Sequence, residues 1–194
     1  MGKTTFDISM SLDGFITASK QTPDEPLGEG GEQHLHDWAF STDETNRRYL
    51  ERTVDGLGAY ICGRRTYDHS VPSWGADGPS GLARRPVFVV THQAPTANPP
   101  GSVYRFVTDG IESALKQARA AAGDKDVSIM GGADLGRQYL AAGLVDEVLI
   151  HLVPVLFGTG TRMFEDLHKG HVRLEMVDAL STPSATHLRY RIVT

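Results

Sequence analysis

The stretch "VSIMGGADLGRQYLAAGLVDEVLIHLVPVL", from Val127 to Leu156, constrains the fold of this 194-residue chain more than any other. "VSIM" is short and apolar, which predicts a buried strand. Gly131 and Gly132 break it. "ADLGRQYLAAG" carries a helical spacing of apolar residues and stops at Gly143, a residue type suited to closing a helix. "DEVLIHLVPVL" is a second apolar strand. The paired glycines leave two readings open: they only turn the corner, or they let the backbone lie against a ligand.

The same alternation recurs upstream. "TTFDISM" (Thr4–Met10) predicts a first strand, followed by the Asp-Gly turn signal of "SLDGFI". Residues 19–33 are polar and rich in Gly and Pro, which predicts a long loop. Ser41 and Glu44 fit a capping box opening a helix over 42–54. "AYIC", "PVFVVT" and "VYRFV" read as strands, and Asp109 is placed to cap a helix over 110–122, whose Ile111, Leu115, Ala118 and Ala122 share one face. Near the end, "RLEMVDAL" and "THLRYRIV" predict an antiparallel pair. Strands alternating with helices, then a strand-only tail, imply an α/β fold in one domain over 1–194. Its central sheet is mostly parallel, flanked by helices, with an antiparallel C-terminal edge.

The formal net charge is −5 and no Lys/Arg run stands out, so nucleic acid is not an expected partner. Cys62 is the single cysteine; it ends an apolar run and reads as a buried small residue. One cysteine cannot form an internal disulfide, which suits a reducing compartment. No apolar run reaches membrane-spanning length, no membrane partner is expected, and the chain reads as cytoplasmic.

The chemistry concentrates at strand ends. In open α/β sheets ligands sit beyond the carboxyl ends of the strands, and a helix that starts there offers free N–H groups to phosphate. Gly131-Gly132 has this construction, though it is not the G-x-G-x-x-G fingerprint. "CGRRTYD" repeats it with two fixed cations, Arg64 and Arg65, and the Thr66 hydroxyl. Thr91 and His92 end a third strand. His34 and His36 are two residues apart, do not share a helix face, and no metal site is expected.

Together "SLDGFI", "GRRTYD" and "GGADLGRQYL…GLVDEVLIHLVPVLFGTGTRMF" resemble the dihydrofolate reductase-like superfamily. The closest branch is the reductase domain of bacterial riboflavin biosynthesis and its stand-alone relatives. The matching blocks run from about Thr5 to Phe164. The resemblance implies NADPH bound across the strand ends. It places Gly63, Arg64, Arg65 and Thr66 on the phosphates and adenosine ribose, with Thr91 at the next strand end. Gly131, Gly132, Ala133, Asp134 and Leu135 match the pyrophosphate turn and helix start, and Asp13, Gly14, Phe15 and Ile16 match the loop beside the nicotinamide. It also implies a homodimer.

The resulting expectation is an NADPH-dependent reductase that passes hydride to a small pteridine- or pyrimidine-like heterocycle, or to another C=N or C=O group. Asp13 and Asp37 are the candidate catalytic carboxylates. Trp38, Tyr67 and Trp74 are candidate substrate contacts. A fused deaminase has no room here, and one cysteine excludes its zinc site. True dihydrofolate reduction and a non-catalytic nucleotide-binding role are the alternatives.

Overall fold

The computed structural model describes residues 2–165 and 171–193. Its elements are β1 (Thr4–Ser11), β2 (Phe15–Thr17), α1 (Gly31–Phe40), α2 (Glu44–Gly56), β3 (Leu57–Gly63), α3 (Arg64–Trp74), β4 (Val87–Val90), β5 (Tyr104–Val107), α4 (Ile111–Ala122), β6 (Asp126–Met130), α5 (Ala133–Ala141), β7 (Glu147–Val153), β8 (Thr161–Arg162), β9 (Arg173–Ser181) and β10 (Thr186–Val193).

One eight-stranded sheet has the order β5-β4-β3-β6-β1-β7-β10-β9, and β2 pairs with β8 in a small second sheet. From β5 to β7 every neighbouring pair is parallel. β10 runs antiparallel to both β7 and β9. The expected parallel sheet with an antiparallel C-terminal edge is therefore present. A parallel sheet brings the carboxyl ends of β3, β4, β6, β1 and β7 to a single rim, where each chain segment leaves for its helix or loop.

Side chains alternate across the strands and bury both faces. On one face Phe6, Ile61, Phe88 and Ile129 pack under Ala114, Leu115 and Ala118 of α4 and Leu135 and Tyr139 of α5. On the other face, Tyr60, Cys62, Val89 and Tyr104 pack under Tyr67 of α3. Leu35 and Trp38 of α1, with Tyr49 and Leu50 of α2, cover Val153 and Ala185. Between these two groups lies the strip formed by β6 and β1. Cys62 is fully buried as expected, and burial pushes its thiol up to about 12, so it is no nucleophile at neutral pH.

Two helix starts differ from the sequence reading. α2 is capped by Asp43, whose side chain accepts from the Asn46 amide, while Ser41 accepts from the Asp43 amide. The aspartate wins because its carboxylate both caps and faces the helix dipole. α4 starts from Gly110 at φ 103° with no side-chain cap, so Asp109 does not serve it. The span read as loop already contains the start of α1, whose residues lack strong amphipathic spacing. No helix among the described residues is long and apolar enough to cross a membrane.

Candidate functional site

The strands β3 and β6 are neighbours, and Cys62 pairs with Met130 one residue before each strand gives way to glycine. α3 starts from Gly63 and α5 from Gly132, and neither N-terminus has a side-chain cap. Two sets of free backbone N–H groups therefore open onto one stretch of rim. Gly131 and Gly132 have φ of 72° and 68°, a conformation that L side chains adopt only under strain. A Cβ on Gly131 would lie 2.6 Å from Thr66 Oγ1 and 2.7 Å from Cγ2. The glycine pair thus does more than turn a corner: it lets the start of α5 close onto the first turn of α3. Ala133 and Leu135 are buried, so only their backbone amides face the rim, while Asp134 is exposed.

Arg64 joins this region to the next strand end. Its Nε donates to both carboxylate oxygens of Asp68 at 2.8 and 2.9 Å, and its Nη1 donates to the Gln93 carbonyl at 2.9 Å. Arg65 is exposed, with a 3.5 Å contact to Gln21 Oε1. Thr91 spends its hydroxyl on the Gln93 carbonyl at 2.8 Å, and His92 is exposed beside it.

At the end of β1 the turn Asp13-Gly14 is tied down. The Ser11 hydroxyl donates to Asp13 Oδ1 at 2.6 Å, and the amides of Phe157 and Gly158 donate to its two oxygens at 3.2 and 2.7 Å. The Ser11 hydroxyl first, then these amides, hold the Asp13 carboxyl below the usual carboxylate range against the opposing effect of burial. An ionised, three-fold acceptor is a loop clamp and a poor proton donor. In this structure the Asp13 carboxylate ties the end of β1 to residues 157–158. Gly14 adopts φ 89°, Phe15 and Ile16 are buried in β2, and the Arg162 guanidinium lies 4.3 Å over the Phe15 ring. The side chains of Phe15 and Ile16 are core, so only their backbone reaches the rim.

Asp37 is exposed on α1, turned away from the buried Leu35 and Trp38 of the same helix. Tyr67 is buried against Tyr104 and Phe106, its hydroxyl donating to Asn98 at 3.1 Å, and Trp74 packs on the same cluster. Trp38 is buried, donates from Nε1 to Ser9 Oγ at 3.0 Å, and lays its ring 4.2 Å from that of His151. It backs the β6–β1 strip.

That strip carries polar residues not singled out from the sequence. Thr5, Asp7, Ser9 and Ser11 alternate with Phe6, Ile8 and Met10 along β1. Asp7 pairs in register with Met130, directly before the glycine pair. His151 Nε2 lies 2.8 Å from Asp7 Oδ1, and His151 Nδ1 lies 2.8 Å from His187 Nδ1. His187 Nε2 in turn meets Asn46 Oδ1 at 3.0 Å. A polar residue at every second place of a strand meant to be covered on both faces was the available signal. Among the described residues no group of His, Cys, Asp or Glu is arranged to hold a metal.

A family model described as the RibD C-terminal domain matches residues 3–188. The chain belongs to the RibD C-terminal domain family. Bacillus subtilis YyaP, an uncharacterized protein, is 25% identical over 181 residues, covering 89% of this chain and 85% of that one. Acinetobacter baumannii RibD superposes with a TM-score of 0.69 at 20% identity, covering all of this chain and 59% of RibD. An Enterococcus faecalis dihydrofolate reductase complexed with NADP(H) superposes with a TM-score of 0.60 at 14% identity, over 98% and 96% of the two chains. The fold is thus dihydrofolate reductase-like.

Within this RibD C-terminal domain the rim fits a diphosphate. Phosphate oxygens need N–H donors and room close to the backbone. The two uncapped helix starts supply the donors, and the missing Cβ atoms at 131 and 132 supply the room.

Proposed function

We propose that the chain is an NADPH-dependent reductase acting on a small heterocycle of pteridine or pyrimidine type, or on a related C=N or C=O group. The observation that carries this reading is the double helix start at the ends of β3 and β6, closed by Gly131 against Thr66. The amides from Gly131 to Leu135 would hold the pyrophosphate, with Gly63 to Thr66 on its other side. Arg64 and Arg65 would meet the 2′-phosphate, near Thr91 and His92. The cofactor, when bound, supplies hydride. Membership of the RibD C-terminal domain family and the likeness to a reductase complexed with NADP(H) support the same class. Asp37 in solvent gives no support to dihydrofolate as the substrate.

The test is a fluorescence titration with NADPH and NADH, read by energy transfer from the tryptophans. Saturable binding of NADPH is expected, and its absence overturns the reading. Replacing Arg64 and Arg65 together by alanine is expected to weaken NADPH about 10- to 100-fold, from loss of charge-assisted bonds. NADH affinity is expected to change much less. Equal effects on both cofactors would remove the arginines from the 2′-phosphate.

The reading includes cytoplasmic residence and a homodimer. β9 is an edge strand, and its Leu174, Met176 and Val177 are 44%, 50% and 43% exposed. An open apolar edge invites pairing, and we assign it to a second copy of this chain. Light scattering is expected to give twice the chain mass, and Met176→Glu to give the monomer. A wild-type monomer at all concentrations would refute this.

A further inference from the structure

Of the four residues Asp7, His151, His187 and Asn46 in the polar chain beneath α1 and α2, three are closed to solvent. His187 and Asn46 are 2% exposed, and the His151 side chain 4%. The Asp7 side chain is 21% exposed. Asp7 therefore opens onto the β6–β1 strip, in the row of Met130 and next to the proposed pyrophosphate seat.

Each hydrogen bond in the chain needs one proton, and counting them is informative. Asn46 Nδ2 donates to Ser184 Oγ at 2.9 Å, which turns its carbonyl oxygen to His187. His187 Nε2 then carries hydrogen, and the Nδ1 of this neutral ring must accept. Burial first, then the charge of His151, holds His187 down to about 4 against the pull of Asp7, in keeping with a neutral ring. His151 Nδ1 must consequently donate. The bond between His151 Nε2 and Asp7 then requires a proton of its own, beyond those of a carboxylate and a neutral imidazole.

Turning the Asn46 amide over reverses every donor. Asn46 Nδ2 then donates to His187 Nε2, His187 Nδ1 to His151 Nδ1, and His151 Nε2 to the Asp7 carboxylate. The Ser184 hydroxyl, which both donates and accepts, closes the far end in either state. The two arrangements are fully hydrogen-bonded and differ by one proton. A buried chain that loses a proton without orphaning any polar group avoids the penalty that normally accompanies such a loss.

We propose that Asp7, His151, His187 and Asn46 form a one-proton store whose outlet is Asp7, and that it supplies the proton of the reduction. This rests on the reductase reading. Reduction of C=N or C=O adds hydride to carbon and a proton to nitrogen or oxygen. The new N–H or O–H bond forms as the store gives up its proton through Asp7, which is left as a carboxylate accepting from neutral His151. His151, His187 and Asn46 are positioning residues; Asp7 meets the substrate. The other ionisable groups around the store are Tyr49 of α2, Tyr60 of β3, Arg189 of β10 and Asp178 of β9. Tyr49 stacks on His187 at 4.2 Å, and burial pushes both phenols upward, so they stay neutral. α1 contributes the Trp38 ring on His151.

The test is nitrogen NMR of labelled histidine side chains in the ligand-free protein between pH 5 and 9. One coupled change is expected: with rising pH His187 passes from the Nε2–H to the Nδ1–H tautomer as His151 passes to Nε2–H, at one midpoint. Asp7→Asn, nearly isosteric, is expected to abolish the change, and His151→Gln to hold His187 in one tautomer. Independent titration of the two rings, a fixed tautomer throughout, or a coupled change that survives Asp7→Asn overturns the store. NADPH titration of the same samples judges the reductase reading separately: a store without cofactor binding sinks that reading and the store's role in it, whereas binding without a coupled change sinks only the store.

Discussion

Gly131→Val is expected to weaken NADPH binding by about 100-fold or more, the equivalent of roughly 2.7 kcal/mol. Two costs act together. At φ 72° a β-branched residue is strained by about 1–2 kcal/mol. Its Cβ would also start 2.6 Å from Thr66 Oγ1, so either α5 or α3 must shift. A shift there opens the gap between the two rows of amides, and donors that no longer converge on one phosphate lose most of their worth. Isothermal titration of NADPH measures the loss. Thr66→Ala removes the two nearest clashing atoms, so Gly131→Ala combined with Thr66→Ala should be less damaging than the sum of the single changes. Wild-type affinity in Gly131→Val would remove the glycine pair from the cofactor site.

The second large effect is expected five residues along, at Gly136. This residue lies inside α5 with ordinary helical geometry, so strain plays no part. A Cβ there would sit 2.5 Å and 2.6 Å from the ring of Phe6, with Met163 at 3.0 Å. Phe6 is fully buried in β1. Leucine must push the helix off the sheet, and overpacking of this kind costs about 3 kcal/mol, less some tenths regained in helix propensity. The melting temperature of Gly136→Leu should fall by roughly 6–12 °C in a domain of this size. Calorimetry gives the answer directly, and an unchanged midpoint would mean that α5 does not approach β1 this closely.

Much of this architecture could be read before any coordinates. The runs at 59–62, 87–90, 127–130 and 147–153 are strands because short, mostly apolar stretches of this length are buried along the sheet, with Ser128, Glu147 and His151 as the polar residues among them. Gly131-Gly132 and "GRRT" were legible because a backbone that must come close to something needs glycine, and that need is local. The other parts of the site were illegible for a shared reason. Tyr67 and Trp74 have the chemistry of pocket walls, but whether an aromatic faces a cleft or a core depends on the strand opposite, here β5 with Tyr104 and Phe106. Nothing in the sequence near Asp13 shows that the amides of residues 157–158 bind its carboxylate. Asp7, His151 and His187 stand far apart in sequence and become one hydrogen-bonded chain only through the register of β1, β7 and β10. Single-strand alternation shows that a residue faces inward; it does not show what it meets.

The strand order carries a consequence for how the protein matures. β3 lies beside β6, and β6 beside β1, so residues 63–66 meet 131–135 only after segments distant in the chain have paired. Contacts of this separation are late and slow to form, because chain entropy is lost before they repay it. A nascent or half-assembled chain therefore holds one helix start or the other, never the joined pair. A ligand that needs both recognises the finished sheet and ignores its precursors, and by mass action it stabilises that state alone. Under the proposed function, the supply of dinucleotide would act as a late selector for correctly assembled copies, favouring their survival over proteolysis of the unfinished ones.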